Sequence, residues 1–165
     1  MACLLTSGRA LPCKSSVGGL KAVYFADYGT LGDVTLVAGE ITAIAGTPDF
    51  YKYDIKGSSS LETAITSSRE NGTTFYTQTL NLTLTTLDKA TQEQIKLLSV
   101  SRPHIAVEDY NGNFFLVGLE HGSEVTGGSI ASGATMADAS SFSLTFEAME
   151  KSPANFTVST VVTAN

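Results

Sequence analysis

Tryptophan is absent from the chain, His and Cys occur twice each, and charged side chains make up only 16% of its 165 residues. Each shortage closes off a class of function. Cys3 and Cys13 have no further Cys to complete a four-ligand metal site, so no metal and no cofactor is expected. The two thiols read as reduced thiols, or else as a disulfide that ties down the N-terminal arm after release from the cell. The net charge of -6, with no basic run, argues against tight nucleic-acid binding, because that affinity comes mostly from Lys and Arg neutralising phosphates. No segment approaches a membrane-spanning length, and the start has no apolar core long enough for a signal peptide. The expectation is therefore synthesis in a cytosol and no membrane partner, with the triplets at Asn71, Asn81 and Asn155 being chance glycosylation patterns in a Thr-rich chain.

What is present is alternation. In "TTFYTQTLNLTLTT", Tyr76, Gln78, Leu80, Leu82 and Leu84 fall on one face, while Thr77, Thr79, Asn81, Thr83 and Thr85 fall on the other. That is a long strand with one buried face, and its length predicts that it bends or projects from the body. Asn71-Gly72 before it predicts a tight turn, making residues 59-86 a long hairpin built from strands Leu61–Arg69 and Thr73–Thr85. A second hairpin is predicted to turn at Asn111-Gly112, with both residues at positive φ and Ile105, Val107, Phe115, Val117 and Leu119 in the core. Phe142, Leu144, Phe146 and Ala148 alternate with Ser141, Ser143, Thr145 and Glu147. Weaker strands are expected at "LKAVYF", "EITAIAG", "FYKYDIK" and "FTVSTVV".

One segment has helical spacing instead. From about 87 to 99, Leu87, Thr91, Gln94, Ile95 and Leu98 share one side, Thr86 or Asp88 can cap the start, and Pro103 forbids continuation. The fold class expected is mainly β, an antiparallel β-sandwich or barrel with one flanking amphipathic helix. No repeat, linker or shift of composition divides it, so residues 1-165 read as a single domain with an N-terminal arm at 1-19.

The search for chemistry is negative. No Ser sits in a G-x-S-x-G elbow, and His104 and His121 read as surface or turn residues. Glu108 and Asp109 are adjacent on a strand, point to opposite faces and so read as solvated charges leading into a turn. The glycine-rich stretch from Gly118 begins like a phosphate loop but has no Lys until Lys151, so the nucleotide reading fails. Its glycines, Gly118, Gly122, Gly127, Gly128 and Gly133, allow turns, bulges or close backbone approach. A flexible surface loop and an inter-subunit contact are equally open on these residues. No catalytic residue is assigned, and no enzyme is expected.

The same stretch, "VGLEHGSEVTGGSIASGATMADASSFSLTFEAMEKSPA", resembles the C-terminal half of small virion proteins of tailed bacteriophages, most of all the tail-tube class. The likeness lies in an apolar strand, G-x-E-x-T-G-G, a small-residue loop with an Asp, an alternating strand and E-x-x-P-A. In this chain those positions include Gly122, Glu124, Thr126, Gly127, Gly128, Asp138, Glu150, Pro153 and Ala154. The resemblance implies a self-assembling subunit of hexameric rings stacked into a tube, located in the virion tail, with other tail or connector proteins as partners and transient, non-specific passage of DNA. It implies assembly contacts at Gly122, Glu124, Thr126, Gly127, Gly128 and Asp138. Thr77, Thr79, Asn81 and Thr83 would face the channel, and Glu62 and Glu70 would repel its cargo. Alternatives are a tail terminator, a head-tail connector, a capsid decoration protein, or a non-structural binding module or an enzyme with an unrecognised site.

Overall fold

The computed structural model describes residues 3-55 and 58-163; Met1 and Ala2, the first residues of the predicted arm, lie outside them. The strands are β1 Leu20–Ala26, β2 Val34–Val37, β3 Glu40–Ile44, β4 Tyr51–Asp54, β5 Ser60–Ser68, β6 Thr73–Thr85, β7 His104–Asp109, β8 Phe114–Val117, β9 Glu124–Ala131, β10 Ser141–Glu150 and β11 Asn155–Thr157. Two helices join them, α1 Lys89–Leu98 and α2 Ser159–Thr163. The larger sheet has the order β2-β3-β11-β8-β7-β1-β4 and the smaller β5-β6-β10-β9. Both are open, so the sandwich is realised and the barrel is not. The pairings are antiparallel except for β11 with β3.

The core lies between the two sheets. Leu80 and Leu82 of β6 and Phe142, Leu144, Phe146 and Ala148 of β10 pack against Val23, Phe25, Ile105, Val107 and Val117 of the larger sheet. Alternation in β6 and β10 is what delivers those side chains inward together. Gln78 is the polar member of that face, and it is satisfied: Nε2 donates to the Ser152 carbonyl at 3.1 Å, and Oε1 accepts from the Gly118 N–H at 3.0 Å. Helix α1 closes the core with Ile95 buried and Leu98 partly so, and Leu87, just before the helix, packs beside them. Asp88 caps it by accepting from the Thr91 N–H.

A second apolar cluster covers the opposite face of the larger sheet, where Ala22, Tyr24, Ala26, Ala106 and Leu116 meet Leu31, Ile41, Phe50 and Val162. Val162 belongs to α2, so "FTVSTVV" is only in part the strand expected of it. The chain pairs over Asn155–Thr157 and then coils, because a helical turn brings Val162 onto that cluster.

Both hairpins form, but neither turn is a two-residue one. Ser68 pairs with Thr73, leaving residues 69-72 as the loop, and Glu108 pairs with Phe114, with the Asp109 N–H donating to the Asn113 carbonyl. Gly72 (φ 64°) and Gly112 (φ 84°) are left-handed, whereas Asn71 and Asn111 are not. In the second loop the Asp109 carboxylate accepts from the backbone N–H of Asn111 at 3.0 Å and of Asn113 at 2.8 Å. That side chain holds a three-residue loop in which only the glycine needs positive φ. Asp109 is therefore the organiser of the turn rather than a solvated charge. Glu108 is likewise engaged, accepting from the Tyr24 hydroxyl at 3.3 Å with Lys21 Nζ at 3.5 Å.

Candidate functional site

The middle of the glycine-rich stretch is a strand, with Gly118 and Gly122 in the turn before it and Gly133 in the loop after it. Residues 124-131 form β9, an edge strand paired along β10, with a register shift between Thr145 and Phe146 that leaves Thr126 as the bulged residue. Alternation is missing there because the bulge and Gly127-Gly128 interrupt it. A Cβ on Gly128 would collide with the Ser143 carbonyl oxygen, so only glycine lets the two backbones approach this closely.

With β9 in place, the outer face of the smaller sheet becomes continuous. Thr79 stands between Glu62 on β5 and Glu147 on β10, and Glu147 faces Glu124 on β9. The next row is Ser60, Asn81, Thr145 and Gly127, where the Thr145 hydroxyl donates to Asn81 Oδ1 at 3.1 Å. Thr83 lies beside Ser143, and Thr77 between Ala64 and Met149. The four strands contain no Lys or Arg. Their charged residues are Glu62, Glu124, Glu147 and Glu150, and of these only Glu150 faces inward. Like charges directly opposite one another, as Glu124 and Glu147 are, cost stability, so the face carries its negative charge against the interest of the fold.

The structure thus gathers Thr77, Thr79, Asn81, Thr83 and Glu62 on one surface and adds Glu124 and Glu147 to it. Glu70 stands apart in the exposed loop at the hairpin tip. Glu147 is legible as an outward position of β10, whereas Glu124 needs the pairing of β9 to be placed. Beyond the Tyr76–Glu150 pair β6 outruns β10, and β5 and β6 continue as a two-stranded ribbon that leaves Ile65 70% and Phe75 37% exposed.

The residues expected at assembly contacts divide. Glu124, Thr126, Gly127 and Gly128 lie along the exposed edge strand. Asp138 is exposed in the loop after it, where its carboxylate accepts from the N–H groups of Ala134 and Thr135, both at 2.9 Å; those bonds hold its pKa below the usual value. Gly122 is packed inside the fold, where a Cβ would come 2.7 Å from the Arg102 carbonyl oxygen.

Of the two histidines, His121 is the exposed turn residue expected, whereas His104 is not at the surface. His104 is buried; the Gly29 N–H donates to its Nε2 at 3.2 Å, so Nδ1 carries the proton and donates to the Gly118 carbonyl at 2.6 Å. Burial lowers its pKa below the ordinary value, against a smaller upward pull from the Gly118 carbonyl. Tyr28 stacks on its ring, and the Arg102 guanidinium lies 4.3 Å from the Tyr28 centroid. His121 shares the buried Glu150 carboxylate: Oε2 lies 2.9 Å from His121 Nδ1, and Oε1 accepts from the N–H groups of Glu120 and His121. Glu120, His121 and Glu150 bring one ligand atom each within 4.8 Å of one another, the one such group among the described residues. The Glu150 oxygens are already committed to the turn, which makes the cluster an anchor for residues 120-122.

Cys3 and Cys13 are exposed free thiols on an arm whose Leu4, Leu5 and Leu11 are also exposed. No helix among the described residues is long and apolar enough to cross a membrane. No family model, curated protein or solved structure matches the chain.

Proposed function

We propose that this chain is a structural, self-assembling subunit of the phage tail-tube kind, whose smaller sheet turns its outer face to a channel that DNA traverses. The observation that carries the reading is the face from Glu62 through Thr79 and Glu147 to Glu124, a wall of hydroxyls and carboxylates on strands without a cation. A conduit must not hold its cargo. Each Lys or Arg on the wall would add affinity by releasing counterions from phosphate, whereas hydroxyls are near neutral and carboxylates repel.

Self-assembly is supported by surface that a lone subunit leaves uncovered. The open edges of β5 and β9 carry unpaired backbone groups, the ribbon tip exposes Ile65 and Phe75, and the arm exposes three leucines. In a ring such edges become joints, because the neighbour completes the sheet. Electron microscopy of the purified full-length protein tests the reading. Tubes or stacked rings are expected; single rings would favour a terminator or connector, and a monomer at high concentration would defeat the proposal.

A further inference from the structure

Two Asn-Gly pairs occupy exposed turns, and they differ in how firmly each is held. Asn111 is clamped: its Oδ1 accepts from the Val17 N–H at 3.0 Å, and its Nδ2 donates to the Val17 carbonyl at 2.7 Å. The Gly112 N–H is also engaged, donating to the Asp109 carbonyl at 3.4 Å. Asn71 has only its backbone N–H held, by Ser68 Oγ at 3.3 Å; among the described residues nothing holds its side-chain amide or the Gly72 N–H.

We infer that Asn71 is a site of spontaneous modification, converting to aspartate and isoaspartate, and that the clamp on Val17 protects Asn111 from the same reaction. The Gly72 backbone nitrogen attacks Asn71 Cγ. The new C–N bond closes a five-membered succinimide, the Cγ–Nδ2 bond breaks, and ammonia leaves with the proton from the Gly72 nitrogen. Water then opens the ring at either carbonyl, so no oxidant, reductant or enzyme is required. Glycine favours the attack because no Cβ shields its nitrogen, and a Cβ at position 72 would meet nothing within 4 Å, so the approach is open.

At Asn111 the two hydrogen bonds to Val17 must break before Cγ can be reached, which slows the reaction there by roughly tenfold or more. The Asn71 product places a second carboxylate beside Glu70 at the ribbon tip. The inference is independent of the assembly reading.

The test is incubation of the purified full-length protein at mildly alkaline pH, followed by peptide mass spectrometry and enzymatic methylation of isoaspartate. The folded protein should accumulate product at Asn71 roughly tenfold faster than at Asn111, and in urea the two rates should converge. Val17→Pro, which deletes the donor to Asn111 Oδ1 from the exposed arm, should speed Asn111 and leave Asn71 unchanged. Equal rates at the two sites in the folded protein, or an Asn71 that stays intact while the urea sample reacts, would overturn the inference.

Discussion

The central strands of the larger sheet, β1 and β7, are covered on both faces and the smaller sheet on one, and the contrast shows what each set of strands is for. In β1 and β7 neighbouring residues such as Val23 and Tyr24, or Ile105 and Ala106, are buried on opposite sides. These strands read as near-continuous apolar runs, the mark of a sheet enclosed between two layers. In β6 and β10 every second residue faces out, and all of these except Phe75 and Met149 are polar. The larger sheet spends its residues on stability, while the smaller keeps half of its residues for a wet surface that the fold does not need.

The largest effect expected from this contrast is on a single sheet. Phe146→Ala removes a fully buried ring from β10 and should cost about 3–5 kcal/mol, whereas Thr79→Ala on the outer face of β6 should stay within about 0.5 kcal/mol. Urea denaturation measures both. Comparable losses would mean that the outer face is packed against something.

A smaller effect is expected at the turns. At Gly112 an added Cβ meets no atom within 4 Å, so the cost of Gly112→Val is chiefly that of the left-handed backbone, about 1–2 kcal/mol, and Gly72→Val should cost about the same for the same reason. Gly128→Val should exceed both, because there a side chain collides with the backbone of β10. The ranking can be read from the same denaturation curves.

A pH effect of lesser size belongs to the larger sheet. His104 is held neutral by burial, so its folded pKa lies below the ordinary 6.5, and the unfolded chain binds the proton more readily. Its contribution is present above 6.5 and is lost as pH falls through that value towards the folded pKa. Denaturation midpoints should therefore fall over that interval, and more steeply than in a His104→Gln variant. Identical pH slopes would remove His104 as the cause.

Legibility follows the same division. The inward sets of β6 and β10, the helix with its Asp88 cap and the existence of both hairpins can be read from period and turn residues, because one-sided burial writes itself as alternation. Three features cannot be read that way. β9 is stitched to β10 across a bulge and paired glycines, which erase the period. α2 is committed to helix by the place it gives Val162 on the second cluster, a tertiary demand that "STVV" does not announce. His104 reads as a strand-start surface residue because its partners, Gly29 and Gly118, are remote in sequence. The outer face is legible in its threonines, but the row of glutamates across it depends on register.

The smallest expected effect on stability is also the most informative about function. Thr79→Lys and Thr83→Lys place cations on the outer face of β6 among hydroxyls and carboxylates, and the cation at position 79 would lie between Glu62 and Glu147. Both positions are half-buried on an open face where a long side chain can reach solvent, so the substitutions should change stability by less than about 0.5 kcal/mol and, on the proposed reading, leave assembly intact. On the proposed channel reading their effect falls on DNA: each Lys that meets a phosphate adds about 0.9 to the salt dependence of DNA affinity, so binding should emerge at low ionic strength and vanish at high. The measurement is a salt titration of duplex DNA against assembled wild-type and doubly substituted protein, with cations introduced on the exposed face of the larger sheet's β4 as the control. Retention of DNA by the face variant alone supports a channel wall. Equal retention by both would mean that the smaller sheet's face has no privileged access to DNA, and the channel assignment would fall even if the protein formed tubes.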